Sequence, residues 1–187
     1  MKKLNLLATI LFTTLLYVSC SKDDDPSSLP DPVNEEEVIT TLTATLVPAG
    51  QGTTITLKSQ DLDGDGPNAP VVTVSGNLSA GVSYNGTIEL LNEMENPPEP
   101  ITEEVEEEDL DHQFFYTVGS GLDATTSYEN YDSAGNPLGT EFTLVAGTAS
   151  SGGLTFTLRH EPKKPNEGID DAGGETDIEV TFNLTIE

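Results

Sequence analysis

The sequence contains no tryptophan, one cysteine and only seven basic residues among 187. A single cysteine, Cys20, excludes an intrachain disulfide and a cluster of thiolate metal ligands. The 33 acidic residues give a net charge of −26, which disfavours nucleic acid and anionic membrane surfaces as partners. The scarcity of aromatic residues disfavours a sugar-cleaving enzyme, and neither a nucleophile elbow nor a phosphate-binding loop is present. We therefore expect a binding protein for cations or basic surfaces, not an enzyme.

The first twenty residues predict a lipoprotein signal peptide. Lys2 and Lys3 precede an apolar run, residues 4–18, that is too short for a membrane-spanning helix. A small residue, Ser19, then precedes Cys20. This pattern predicts cleavage after residue 19 and lipidation of Cys20, with an ordinary secretory signal as the alternative.

Residues 20–34 are polar and rich in proline, which predicts a flexible tether between the lipid and a domain at 35–187. The stretch "SKDDD" after Cys20 resembles the surface-export signal of Bacteroidota lipoproteins. That resemblance implies anchoring in the outer membrane with the domain facing the cell exterior. Periplasmic anchoring is the alternative.

Threonine-rich segments of alternating polarity recur through the domain, separated by Gly, Pro, Asn and Asp clusters. No segment shows helical periodicity of useful length. The pattern predicts one immunoglobulin-like antiparallel β-sandwich of about nine strands. The predicted strands lie near 38–47, 53–59, 71–77, 83–92, 113–118, 125–131, 139–147, 153–160 and 177–186.

If successive strands run in opposite directions, most of the acidic residues fall at one end of the sandwich, including the run at 103–111. Both histidines fall at that end. His112 begins a strand and His160 ends one, and each is in phase with the inward-facing residues of its strand. We therefore expect both imidazoles to face a rim between the two sheets.

Two imidazoles beside carboxylates favour a site for zinc or another transition metal. The candidate ligands are the two histidines and their acidic neighbours in sequence: His112, His160, Glu161, Asp109, Asp111 and Glu108. In the alternative interpretation the histidines are ordinary polar residues at strand ends. Haem held by both histidines is a further hypothesis, which the acidic surroundings disfavour because haem carries propionates.

A second candidate cation site is a loop with carboxylates at alternate positions, Asp61, Asp63 and Asp65. These residues match the first half of a calcium-binding loop, but Val72 stands where an EF-hand has its bidentate glutamate. The sequence thus predicts either a calcium site completed by another loop or an acidic turn without an ion. The tripeptide at 132–134 resembles a Bacteroidota O-glycosylation acceptor, which implies a glycan on Ser133.

Five segments of the chain resemble a family of small Bacteroidota surface lipoproteins: "DLDGDGPNAPVVT", "YNGTIELLNE", "ITEEVEEEDLDHQFFY", "LRHEP" and "GGETDIEVTFNLTI". Members accompany TonB-dependent outer-membrane receptors, and the resemblance implies such a receptor as a partner in nutrient uptake. Related chains are sometimes labelled type 1 periplasmic-binding-fold proteins, but this sequence lacks the βα alternation of that fold.

Together these observations favour a lipid-anchored surface protein that captures a divalent metal for a TonB-dependent uptake system. The alternative is an acidic interaction module that docks a receptor or basic partner, with at most a structural calcium ion.

Overall fold

Two antiparallel sheets with nine strands in all make up the protein in the computed structural model, which describes residues 37–64 and 66–187. The strands are β1 Thr41–Pro48, β2 Ile55–Gln60, β3 Val71–Val74, β4 Ser83–Leu91, β5 His112–Val118, β6 Ala124–Tyr128, β7 Glu141–Ala146, β8 Ser150–His160 and β9 Glu175–Ile186. The prediction of an all-β antiparallel sandwich of about nine strands is confirmed.

The two sheets differ in size. The larger one has six strands in the order β3-β2-β1-β4-β7-β6, and the smaller one has three in the order β5-β8-β9. The four inner strands of the larger sheet, β2, β1, β4 and β7, bury alternate side chains, as in Leu42, Ala44 and Leu46 of β1. The small sheet packs its own alternate residues against that layer, so the core lies between the sheets.

Phe156 of β8 lies at the centre of this core. Its ring contacts Tyr116, Phe142 and Phe182 in edge-to-face geometry, with ring centroids 5.6–5.7 Å apart. These residues come from β5, β7 and β9, so one side chain joins both sheets. Edge-to-face aromatic pairs add to the free energy gained by burying apolar surface.

Gly86 of β4 makes room for one of these rings. It lies directly opposite Phe142 of β7 in the larger sheet. A Cβ atom at Gly86 would lie only 2.3 Å from the Phe142 ring, so any larger residue would displace the ring.

A helix, α1 Ile101–Glu107, lies between the predicted strands 83–92 and 113–118 and overlaps the acidic run at 103–111, where the sequence predicted no helix. Ile101 and Val105, four residues apart, are buried against the core. Glu103 and Glu104 lie in the first turn, where the helix dipole favours negative charge. With only two apolar anchors among acidic residues, the segment lacks the longer periodicity that signals a helix. A second helix, α2 Ile169–Ala172, has a single turn.

Some sequence predictions lie outside the described residues. These are the signal peptide at 1–19, the lipidated Cys20, the tether to residue 34, and Asp65 of the calcium loop. Within the described part of the chain, no helix is long and apolar enough to cross a membrane.

The central position of Phe156 generates a prediction about stability. Phe156→Ala should lower the free energy of unfolding by about 3–5 kcal/mol, because it leaves a cavity where four rings meet. Urea denaturation followed by far-UV circular dichroism measures the loss. The control is Val145→Ala, at a 42% exposed position, which should change stability by only about 0.5 kcal/mol. Equal effects of the two variants would contradict this description of the core.

Candidate metal centre

The two histidines lie side by side at one end of the small sheet. The antiparallel register of β5 and β8 pairs His112 directly with His160. Their rings stack with centroids 4.9 Å apart and planes inclined by 26°. His112 is fully buried and His160 is 4% exposed. The prediction that both imidazoles face inward at the same end is therefore confirmed.

The end of helix α1 orients the His112 ring. Glu108 caps the helix, and its carbonyl oxygen lies 3.2 Å from Nδ1 of His112. A carbonyl can only accept, so Nδ1 carries the proton and donates it. In the neutral ring, Nε2 then keeps its lone pair free for another partner. A backbone carbonyl that fixes the tautomer in this way is typical of a metal-ligating histidine.

A β-bulge brings a carboxylate, Asp177, to the histidines. In the pairing of β8 with β9, Leu158 lies opposite Ile178 but the next residue, Arg159, lies opposite Thr176. Asp177 is therefore the extra residue, and bulges of this kind redirect a side chain. Its carboxylate is completely buried, with Oδ1 3.7 Å from Nδ1 of His160 and Oδ2 3.9 Å from Nε2 of His112.

A second buried carboxylate, Glu37, comes from the segment that leads into β1. Strand alternation breaks there, since Thr40 and Thr41 are both buried and Val38 is 55% exposed. Glu37 thereby turns inward, and its side chain is only 2% exposed. Its Oε1 lies 2.8 Å from Nε2 of His112, and its Oε2 is buried without a hydrogen-bond partner among the described residues.

These four residues form one group of potential metal ligands. Glu37, His112, His160 and Asp177 each offer an atom, and the four atoms lie within 4.8 Å of one another. A tetrahedral zinc site with bonds of about 2.0–2.2 Å separates its ligand atoms by roughly 3.3–3.6 Å. The observed separations of 2.8, 3.7 and 3.9 Å bracket that range. Adjustments of about 1 Å in the side chains would therefore bring all four atoms to bonding distance, and the cluster can hold a metal ion.

The His112 imidazole and the Glu37 carboxylate shift each other's pKa because each stabilises the charged form of the other. Burial lowers the pKa of His112, but the attraction of Glu37 and then Asp177 outweighs it, so this pKa is raised overall. Burial likewise raises the pKa of Glu37, and the adjacent His112 imidazole reverses the effect, so this pKa is lowered. The low-dielectric site thus demands positive charge beside its carboxylates.

Contacts of Lys164 and Gly174 hold the chain in position around the site. The buried Nζ of Lys164 donates to the carbonyl oxygens of Asp109 and His112 and to Oδ2 of Asp132, the last at 3.1 Å. Gly174, with a φ of +73°, lies so close to His160 that a Cβ atom would meet the His160 carbonyl oxygen at 2.3 Å. These contacts hold the starts of β5 and β9 where their side chains can converge.

The acidic neighbours predicted as ligands lie outside this cluster. The Asp109 carboxylate accepts hydrogen bonds from the backbone N–H and the hydroxyl of Ser133. Asp111 is exposed, and its carbonyl oxygen accepts a hydrogen bond from the N–H of Glu161.

Glu161 is also exposed and adopts a positive φ of 48°. Glu108 contacts His112 through its carbonyl oxygen and not through its carboxylate. The carboxylates that meet the histidines are Glu37 and Asp177 instead.

The predicted calcium loop forms a turn held by its own side chains. The N–H of Asp63 donates to the Asp61 carboxylate at 3.3 Å, and the side chain of Asn68 donates to the Asp63 carboxylate at 2.6 Å. Among the described residues, no group of three or more potential metal ligands includes Asp61 or Asp63. The calcium site stays a prediction, as does the glycan on Ser133, which is exposed in a turn.

The coupled pKa values predict how the metal-free protein responds to pH. His112, whose pKa is raised above its ordinary 6.5, stabilises the fold fully below pH 6.5 and loses this effect as pH rises through the raised value. Glu37, whose pKa is lowered below 4.5, stabilises the fold above pH 4.5 and loses this effect as pH falls through the lowered value. With chelator present, the free energy of unfolding should be higher for wild type than for Glu37→Gln. This difference should be largest between pH 4.5 and 6.5.

Urea denaturation of both proteins at several pH values tests this expectation. The stability difference should narrow above pH 6.5, as His112 loses its proton in the folded wild type. A difference that stays constant from pH 5 to pH 9 would show that Glu37 and His112 are not coupled.

Comparison with known proteins gives no relative from which a function can be transferred. Models of protein families, functionally curated proteins and solved structures all yielded no match to this chain. The assignment of function therefore depends on the chemistry of the cluster Glu37, His112, His160 and Asp177.

Proposed function

We propose that this protein binds one divalent transition-metal ion, zinc or a similar ion, through Glu37, His112, His160 and Asp177. The observation that carries the proposal is the convergence of four buried ligand atoms within 4.8 Å. Two carboxylates and two neutral imidazoles balance the charge of one divalent cation. A bound ion would thus supply the positive charge that the buried carboxylates require.

The ligand set favours a transition metal over calcium. Calcium takes six to eight oxygen ligands, whereas two imidazole nitrogens with two carboxylates match the four-coordinate sites of zinc. Copper and nickel also accept imidazole, and their affinities for a given site follow the usual order of the divalent metals. The contact from Nδ1 of His112 to the Glu108 carbonyl oxygen leaves Nε2 as the nitrogen that would bind the ion.

The closed geometry also indicates how an ion would enter and leave. His112, His160 and Asp177 belong to three adjacent strands of the small sheet, whereas Glu37 lies in a segment outside any strand. Movement of that segment would expose the site to solvent and would remove only Glu37 from the set of ligands. Capture and release of an ion would then proceed through Glu37, with the three sheet ligands held in place.

The cellular setting of this proposal comes from the sequence alone. The predicted lipidation of Cys20 would anchor the protein in the outer membrane. The resemblance to Bacteroidota surface lipoproteins implies a TonB-dependent receptor that would receive the ion. In that setting the protein would hold the metal at the cell surface before uptake.

Thermal unfolding of chelator-stripped protein, with Zn²⁺, Cu²⁺, Ni²⁺, Mn²⁺ or Ca²⁺ added separately, tests the proposal. An ion at one hundred times its dissociation constant should stabilise the fold by about 2.7 kcal/mol and raise the midpoint. We expect that shift with zinc or another ion that accepts imidazole. It should vanish in the His112→Ala, His160→Ala double variant, since the imidazoles supply half of the ligands.

Matched carboxylate variants locate the site. Glu37→Gln and Asp177→Asn should each weaken binding at least tenfold in isothermal titration calorimetry, with one ion bound per chain in wild type. Glu161→Gln removes the same charge from an exposed residue next to His160 and should leave the affinity within twofold. If no ion shifts the midpoint, the proposal is wrong. A shift with Ca²⁺ alone would point to the loop of Asp61 and Asp63 instead.

A further inference from the structure

The β2–β3 end of the larger sheet exposes an unusual share of apolar side chains. Among the described residues, nine large apolar side chains are exposed, and five of them lie in this region: Val38, Leu62, Val71, Val72 and Met94. Two adjacent depressions, of about 270 and 480 Å³, share Asp61 and Asp63 in their walls. Leu62 and Val71 line the first, and Val38 and Met94 line the second. Clustered apolar exposure of this kind marks interaction sites.

The backbone at the start of β3 is also unpaired along one side, whereas the end of β3 lies near β9, with which Leu78, further along the chain, pairs through Ile186. The N–H of Ser75, just after β3, donates to the Thr56 carbonyl oxygen of the neighbouring strand, 2.9 Å away. Because backbone groups in an antiparallel ladder alternate in direction, Val71 and Thr73 face β2, and Val72 and Val74 face outward. β3 ends the six-stranded sheet, so within residues 37–64 and 66–187 no strand pairs with that outward side.

The opposite edge of the same sheet differs in chemistry. Its edge strand β6 has the sequence "ATTSY", and its most exposed positions, Thr125 and Ser127, are polar. β3 has the sequence "VVTV", with Val71 63% and Val72 45% exposed. Edge strands usually carry charged residues or proline that discourage pairing, and β3 has neither within its span. Its apolar exposure is therefore specific to one edge.

The charge around β3 indicates which partner would fit. Asp61 and Asp63 line the same depression as Val71, and the chain carries a net charge of −26. A second copy of the chain would bring equal negative charge to the same edge, which opposes self-pairing. We propose that the outward side of β3 binds an extended segment of a basic partner protein. That segment would add a strand beside Val72, with apolar side chains against the valines and lysine or arginine side chains reaching Asp61 and Asp63.

A fluorescent heptapeptide, Lys-Val-Lys-Val-Lys-Val-Lys, serves as the probe for this proposal. Fluorescence anisotropy should show binding that weakens with added salt, because ion pairs at the surface contribute to it. In heteronuclear NMR spectra, the largest amide shifts should fall on residues 71–74. A peptide with glutamate in place of each lysine, and one with proline in place of each valine, should both bind at least tenfold more weakly.

Two variants with the same added charge distinguish peptide pairing at the β3 edge from non-specific electrostatic attraction to the acidic protein. Val72→Lys places a positive charge on the proposed edge and should weaken binding at least tenfold, while Thr125→Lys places it on β6 and should leave affinity within twofold. Unchanged thermal midpoints verify that both variants are folded.

Several outcomes would overturn the proposal. Equal weakening by the two variants would assign the affinity to diffuse electrostatics. Amide shifts confined to helix α1 would place the basic partner there. Absence of binding, or dimerisation through β3 in sedimentation analysis, would contradict a basic partner at this edge.

Discussion

The antiparallel pairing of β5 with β8 is the interaction on which the candidate centre depends, because it sets His112 opposite His160. Each histidine lies at an end of its strand, so a shift of one residue in register would move one imidazole out of the cluster. The register is secured by apolar partners further along the same strands. Phe114 pairs with Leu158, and Tyr116 pairs with Phe156 at the centre of the core. The packing that stabilises the sandwich therefore also positions the site.

The site departs from the regular sheet at two places, and both departures bring in a carboxylate. The bulge in β9 directs Asp177 inward, and the irregular segment before β1 does the same for Glu37. Burial of two carboxylates costs free energy unless positive charge accompanies them. In the metal-free protein a proton on His112 contributes to that balance, as its raised pKa indicates. A divalent ion would replace the proton, so metal and protons compete for the same position.

The acidic run at 103–111, which overlaps helix α1, contributes to the site through its backbone. Ile101 and Val105 fix helix α1 to the core, and the residue after the helix, Glu108, presents its carbonyl oxygen to His112. The glutamate side chains of the run remain on the solvent side, as those of Glu103 and Glu107 do. Their carboxylates lie outside the cluster, but their charge reaches it, since burial and then repulsion by Glu37 raise the pKa of Glu104.

Sequence patterns were sufficient to predict the sandwich, the approximate strands and the meeting of the two histidines, because strict alternation carries that information. They were insufficient for Asp177, whose position follows from a bulge that alternation cannot show. By parity, Asp177 falls on the face opposite to Ile178 and Val180, and the structure directs it to the site instead. Glu37 was missed for a related reason, since the break at Thr40 and Thr41 reverses the direction of the residues before it. The inward direction of both carboxylates therefore depends on how distant parts of the chain pack together, which local alternation does not show.

X-ray absorption spectroscopy of the zinc-loaded protein tests the central claim most directly, because it reports the ligands of the ion themselves. We expect two imidazole nitrogens and two carboxylate oxygens at about 2.0–2.2 Å from the ion, with the imidazole scattering lost in the His112→Ala, His160→Ala double variant. A shell made only of oxygen atoms, or imidazole scattering that persists in the double variant, would contradict a metal centre at Glu37, His112, His160 and Asp177.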